Sequence, residues 1–231
     1  MLRVLAYKAW KRLVDLRLRG IVRVLGFHFH QLTRKDEDVP VRDSFDACWG
    51  VDTNGIVPLY MLQIHSRNDI HGVKYQASPP GLFSQLMAAI KVAYNDFTFI
   101  DLGSGKGRVL LLASQLPFKR IIGIEFSREL MQIARANLTR CARVGSHIDL
   151  LWMDVEDYEF PTDQSVVYLY NPFDEKVMVR VINNLRLSLV RHPRELYIVY
   201  CNPLHASVID RANVFTRVAS QEGAVIYAFS G

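Results

Sequence analysis

The sequence predicts an α/β fold: a doubly wound, mostly parallel sheet of seven strands with an antiparallel C-terminal hairpin strand, plus an N-terminal helical extension. Three observations predict it. From Phe97 onward, short apolar runs alternate with amphipathic segments at the spacing of βα units. The first run, Phe97-Thr98-Phe99-Ile100-Asp101-Leu102, opens into Gly103-Ser104-Gly105-Lys106-Gly107-Arg108, a glycine-rich turn before a helix. The next apolar run ends in an acid, Glu125, about twenty residues further on.

In chain order, residues 2–25 place Leu2, Ala6, Trp10, Leu13, Val14, Ile21 and Leu25 on one helical face and Lys8, Lys11, Arg12, Arg19 and Arg23 on the other. Leu5, Leu16, Arg17 and Gly20 interrupt the pattern. Such a basic amphipathic helix suits peripheral contact with an anionic membrane surface. It equally suits packing on the domain or on a second subunit. The charged run Arg34-Lys35-Asp36-Glu37-Asp38 reads as a solvated linker. Residues 43–80, rich in aromatics and turn signals such as Asn54-Gly55, read as an ordered cover over the C-terminal ends of the strands. A helix over 82–92 follows Tyr75-Gln76-Ala77-Ser78-Pro79-Pro80.

Strands are expected near 97–102, 120–125, 148–153, 165–170, 195–201, 213–219 and 224–229, with helices near 107–115, 127–143, 174–190 and 204–211. Glu222-Gly223 supplies the turn that makes the last strand antiparallel. The expected organisation is therefore 1–42, basic helix and linker; 43–96, cover segment and helix; and 97–231, the core.

Composition narrows the function classes. The net charge of +5 resides in residues 1–25, which carry +6 and leave −1 for the remainder. A nucleic-acid groove across the core is thus not supported. Cys48, Cys141 and Cys201 form no Cys-x-x-Cys pair, and His28/His30 and His65/His71 lack partner ligands, so no metal site is expected. No signal peptide or apolar run of membrane-spanning length is evident, and a cytoplasmic location is expected, with membrane association through residues 2–25 as its variant.

The glycine turn carries the chemistry. Glycines let a ligand approach the backbone, and free N–H groups at the helix start can face it. Glu125 is placed to accept hydrogen bonds from two ribose hydroxyls, which points to an adenosine-type cofactor. A dinucleotide fingerprint would need glycine at position 108, where Arg stands, and no Gly-Lys-Ser/Thr follows.

Asp101 with Gly103-x-Gly105-x-Gly107 resembles the first motif of the class I S-adenosylmethionine (SAM) methyltransferases. The segment Gly50-Val51-Asp52-Thr53 with Gly55-Ile56-Val57-Pro58 resembles a little-characterised bacterial group of methyltransferase-domain proteins. The resemblance implies that Asp101, Gly103, Ser104 and Gly105 surround the cofactor's amino-acid tail, that Gly107 permits close helix packing, and that Glu125 holds the ribose. It further implies that Asp154 accepts from the adenine amino group, with Phe126, Met153 and Val155 covering the ring. A helix cap is the structural alternative for Asp154.

Tyr170-Asn171-Pro172-Phe173 resembles the Asn/Asp-Pro-Pro-Tyr/Phe loop of N-directed methyltransferases, with one proline fewer. The resemblance assigns Asn171 and the proline carbonyl to the target N–H, Phe173 to stacking, and Asn171 to the cofactor's edge as well. Tyr75, in Tyr-x-x-Ser-Pro-Pro, resembles the loop before the first motif in seven-strand protein-lysine methyltransferases. A strand-ending turn and a packed aromatic are the plain alternatives. The function expected is SAM-dependent methyl transfer, N-directed on a protein side chain with lysine favoured. The alternatives are a small-molecule or lipid-linked acceptor at a membrane surface, and a protein that binds SAM without transferring a methyl group.

Overall fold

The computed structural model describes residues 43–59, 62, 64, 68, 71–141, 148–221 and 223–229. The expected helix over 2–25 lies outside the described residues, and so does the linker 27–40. Seven strands form the sheet: β1 Thr98–Leu102, β2 Arg120–Glu125, β3 Ile148–Trp152, β4 Ser165–Tyr170, β5 Leu196–Cys201, β6 Phe215–Gln221 and β7 Ala224–Phe229. Their order is β3-β2-β1-β4-β5-β7-β6. The first five strands run parallel and β7 is antiparallel to both of its neighbours.

The six α-helices among the described residues are α1 Ser44–Trp49, α2 Pro80–Ala89, α3 Arg108–Ala113, α4 Arg128–Arg140, α5 Glu175–Arg191 and α6 Ala206–Arg211. Strands β1 and β4 are covered on both faces, so they read as near-continuous apolar runs. One core layer, with Ile100, Ile122, Val167 and Ile198, packs under α5. The opposite layer, with Phe99, Ile121, Val166 and Val199, packs under α2 and α3. No helix among the described residues is long and apolar enough to cross a membrane.

Element boundaries depart from the sequence pattern where a local conformation intervenes. Pro80 opens α2 two residues earlier than expected, because its fixed φ suits the first helical position. Ile90 is already extended, ending α2 at Ala89 rather than at residue 92. Asn213 takes a left-handed φ of 55° and delays β6 to Phe215. Cys141, extended at φ −87° and ψ 93°, stops α4 at Arg140.

The doubly wound order reverses at β1, between β2 and β4, and a crevice forms there outside the carboxyl ends of the strands. The segment 43–57 and residues 71–79 lie on that end. A short antiparallel ribbon joins Ile56–Val57 to Tyr75–Gln76.

Candidate functional site

The glycine turn leaves β1 with its backbone pinned. The N–H groups of Gly103 and Ser104 both donate to the Ile124 carbonyl, each at 2.9 Å. Gly103 and Gly105 have φ of 82° and 54°, conformations that side chains rarely take. Space excludes a side chain as well: a Cβ on Gly105 would lie 2.3 Å from the Tyr75 ring, and one on Gly103 2.5 Å from Pro172 Cβ. Gly107 is set against Ala134 of α4, 3.3 Å from where its Cβ would stand, which is the close helix packing expected of it.

Two acids face this turn. Glu125 accepts from Gly105 N–H and Ser127 N–H, each at 2.8 Å, and a carboxylate with four lone-pair sites keeps acceptor capacity beyond these bonds. Burial pushes its carboxyl up to about 7, with backbone N–H bonds from Ser127, Gly105 and Phe126 opposing. Asp101, 3% exposed, lines the same cavity, and no donor among the described residues reaches its carboxylate. Burial raises Asp101 well above the ordinary carboxylate range, and the charge of Glu125 adds to the rise. Ser104 Oγ is buried without a partner beside them. Two buried acids with no ion-pair partner among the described residues, an orphaned hydroxyl and the glycine backbone suit a ligand that brings a positive charge and hydroxyl donors.

This first cavity, of about 60 Å³, is lined from below by Asp101, Gly103, Ser104, Gly105, Glu125 and Phe126 and from above by residues 73–78. A second, of about 40 Å³, lies against it and shares Gly103, Phe126 and Pro172. Met153, Asp154, Val155 and Phe173 line the second cavity. The expected tail and ribose residues thus gather in one space and the expected ring-covering residues in the other, with Phe126 common to both. Asp154 also serves as the cap anticipated as its alternative: its Oδ1 accepts from Glu156 N–H at 3.0 Å, while Oδ2 accepts from Asn68 Nδ2 at 2.9 Å.

The loop 171–173 is arranged less simply than the sequence suggests. Asn171 adopts a left-handed φ of 43°, and its Oδ1 accepts from the Tyr200 hydroxyl at 3.0 Å. The Pro172 carbonyl accepts from Val73 N–H at 3.0 Å. Both acceptors that the resemblance assigns to a target N–H are therefore engaged within the chain. Phe173 is 5% exposed and faces the second cavity rather than Tyr75 in the first. Asn171, Phe173 and Tyr75 consequently do not converge on one point in this arrangement.

Several residues of the site carry no local sequence signal. Arg108 donates through Nε to Thr53 Oγ1 at 2.7 Å and through Nη2 to Asp43 and Asp46, and its guanidinium lies 4.9 Å from the centre of the Phe45 ring. Asp46 accepts from the N–H groups of Thr53 and Asn54 at 2.8 Å each. Burial raises its carboxyl, but the hydrogen bond from the Thr53 hydroxyl, these two backbone bonds and the Arg108 charge outweigh that and hold it below its ordinary value. Lys106 reaches Asp52 and the Asn54 carbonyl, both at 2.9 Å. The Tyr75 hydroxyl donates to the Thr53 carbonyl. Lys106 and Arg108, the latter standing where a dinucleotide fingerprint would have glycine, are thus the moorings of the cover segment. Their partners lie more than fifty residues upstream, so only folding reveals the match.

Comparison with known proteins adds three similarities. Residues 99–191 match the family model described as a methyltransferase domain. A stretch of 57 residues is 42% identical to the release factor glutamine methyltransferase of Vibrio cholerae, covering 24% of this chain and 20% of that protein, so the chain spans about one fifth of the relative's length. Among solved structures, a predicted N6-adenine-specific DNA methylase from Listeria monocytogenes superimposes with a TM-score of 0.50 at 16% identity, over 66% of this chain and 51% of that one. That level of likeness concerns the fold alone.

Proposed function

We propose that this chain, which carries a class I methyltransferase domain, binds S-adenosylmethionine across the two cavities and transfers its methyl group to a nitrogen of a protein side chain, lysine first. The observation that carries the cofactor reading is Asp101, a buried carboxylate lining the cavity that no donor among the described residues reaches, with Glu125 beside it at the end of β2. The cofactor, when bound, supplies an electrophilic methyl group on a sulfonium.

The chain's own residues would do the rest. Asp101 would hold the ammonium of the amino-acid tail and Glu125 the ribose hydroxyls. Phe126, Met153 and Val155 would enclose the adenine, with Asp154 at its edge. A closed, apolar surround excludes water from an in-line displacement that depends on alignment of nucleophile and methyl group.

Calorimetric titration of the full chain with S-adenosylhomocysteine and, separately, NAD tests the cofactor. We expect binding of the former alone, weakened on the order of tenfold by Asp101→Asn, which removes one charge-assisted hydrogen bond. Binding of NAD alone, or of neither, would sink the reading.

The N-directed reading rests on Asn171-Pro172-Phe173 at the end of β4. The Pro172 carbonyl, already bonded to Val73 N–H, keeps a second lone pair that a target N–H would use. A screen of lysine-bearing and glutamine-bearing protein acceptors, the latter suggested by the Vibrio cholerae relative, should find the substrate. Nucleic acid and lipid-linked amines serve as the competing classes, the lipid-linked class resting on residues 2–25, which lie outside the described residues. With the acceptor in hand, Asn171→Ala is expected to lower turnover at least tenfold while S-adenosylhomocysteine affinity stays within about twofold. Unchanged turnover would remove Asn171 from the acceptor site.

A further inference from the structure

The segment from His71 to Ser78 runs across both cavities: Gly72 lines the second and residues 73–78 line the first. It is fastened to the 172–174 loop as an added strand. Val73 N–H donates to the Pro172 carbonyl at 3.0 Å, Asp174 N–H donates to the His71 carbonyl at 2.8 Å, and Gly72 faces Phe173 in an antiparallel bridge. Gly72 has no side chain to spare here, since a Cβ would stand 2.6 Å from the Phe126 ring. At the end of this short ladder, His71 Nδ1 lies 2.6 Å from Asp174 Oδ2. The other oxygen, Asp174 Oδ1, caps α5 by accepting from Lys176 and Val177 N–H at 3.0 and 3.3 Å. One carboxylate therefore joins the roof of the cavities to the start of a helix in the core.

We propose that His71 is a positioning residue of the cofactor site: through Asp174 it fastens the strand 71–75 over the cavities, closing the roof behind a bound cofactor. This rests on the SAM reading of the cavities. A ligand lying between the glycine turn and residues 72–78 would be in contact with this segment. Two backbone bonds and one side-chain pair hold it to the 172–174 loop, and the side-chain pair alone is removable without disturbing the α5 cap. Of the two partners, His71 is accordingly the informative one to replace.

The test is the kinetics of S-adenosylhomocysteine binding to the full chain, measured by stopped flow for wild type, His71→Ala and His71→Asn. The amide of Asn can take the place of Nδ1–H, so it preserves the bond to Asp174. In His71→Ala, dissociation is expected to accelerate on the order of tenfold, the loss expected for one hydrogen bond to a charged group, and His71→Asn is expected to restore it. A purely structural role for His71 would lower the folded fraction and leave the dissociation rate of the folded chain unchanged.

Hydrogen exchange of the Val73 amide gives a second readout that needs no ligand. His71→Ala should speed its exchange and His71→Asn should not. Dissociation and Val73 exchange both unchanged in His71→Ala overturn the fastening role while leaving the SAM reading intact. No binding of S-adenosylhomocysteine by the wild-type chain overturns that reading and the proposal with it.

Discussion

Replacing Glu125 by Ala is expected to weaken S-adenosylhomocysteine binding on the order of a hundredfold in calorimetric titration. Two losses combine. In the proposed binding mode the two ribose hydroxyls lose their carboxylate acceptor, and the Gly105 and Ser127 N–H groups that Glu125 bonds at 2.8 Å lose theirs as well. The same carboxyl makes binding depend on pH. Burial lifts it to about 7, and only the ionised form accepts from both hydroxyls. Affinity should therefore rise by about tenfold between pH 6 and pH 8, with a proton released on binding.

Stability of the unliganded protein should move the other way. The folded chain holds this proton more tightly than the unfolded one, whose carboxyl has the ordinary value of 4.5. The contribution is thus greatest below 4.5 and declines as pH rises to about 7, by no more than about 3 kcal/mol. An affinity that is flat from pH 6 to 8 would show that Glu125 does not hold the cofactor in its ionised form.

Replacing Arg108 by Met should destabilise the protein by about 3–5 kcal/mol, the range for stripping one partner from a buried ion pair. The side chains of Arg108 and Asp46 are 5% and 4% exposed, so water cannot substitute for the lost guanidinium. Asp46 would keep its bonds from Thr53 and Asn54 but lose its only cation among the described residues, and Thr53 Oγ1 would lose a donor. For a chain of this size the melting temperature should fall by roughly 10 °C. A loss below about 1 kcal/mol in urea unfolding would show that the cover segment is held by its apolar contacts and not by this cluster.

Much of the architecture is written locally. Parallel strands buried on both faces must be apolar throughout, so Phe99-Ile100 or Val166-Val167 can be recognised without a partner in view. Ser127 before α4 and Asp174 before α5 announce helix starts by capping chemistry. The boundaries that shifted, at Ile90, Cys141 and Asn213, are places where one residue's backbone conformation decides and the apolar period carries no information. The glycine turn and the acid facing it were legible for a related reason. A glycine turn and an acid one βα unit later are tied by the register of β1 and β2, so sequence spacing becomes spatial distance.

The surroundings of the 171–173 loop were not legible in that way. Asn171 meets Tyr200 because β4 pairs with β5 in a register that sets Leu169 beside Tyr200, and Pro172 meets Val73 because the cover crosses a hundred residues of intervening fold. By itself, then, the sequence determined the α/β class, the glycine turn, and the acids that face it, all of which follow from short-range pattern and strand spacing. The tertiary structure decided that Lys106 and Arg108 face inward to moor the cover, that Tyr75 fills the space above Gly105, and that the 171–173 loop is already hydrogen-bonded to its own chain. Those outcomes depend on which distant segments meet, and a buried charge or polar group settles only where the fold brings it a partner.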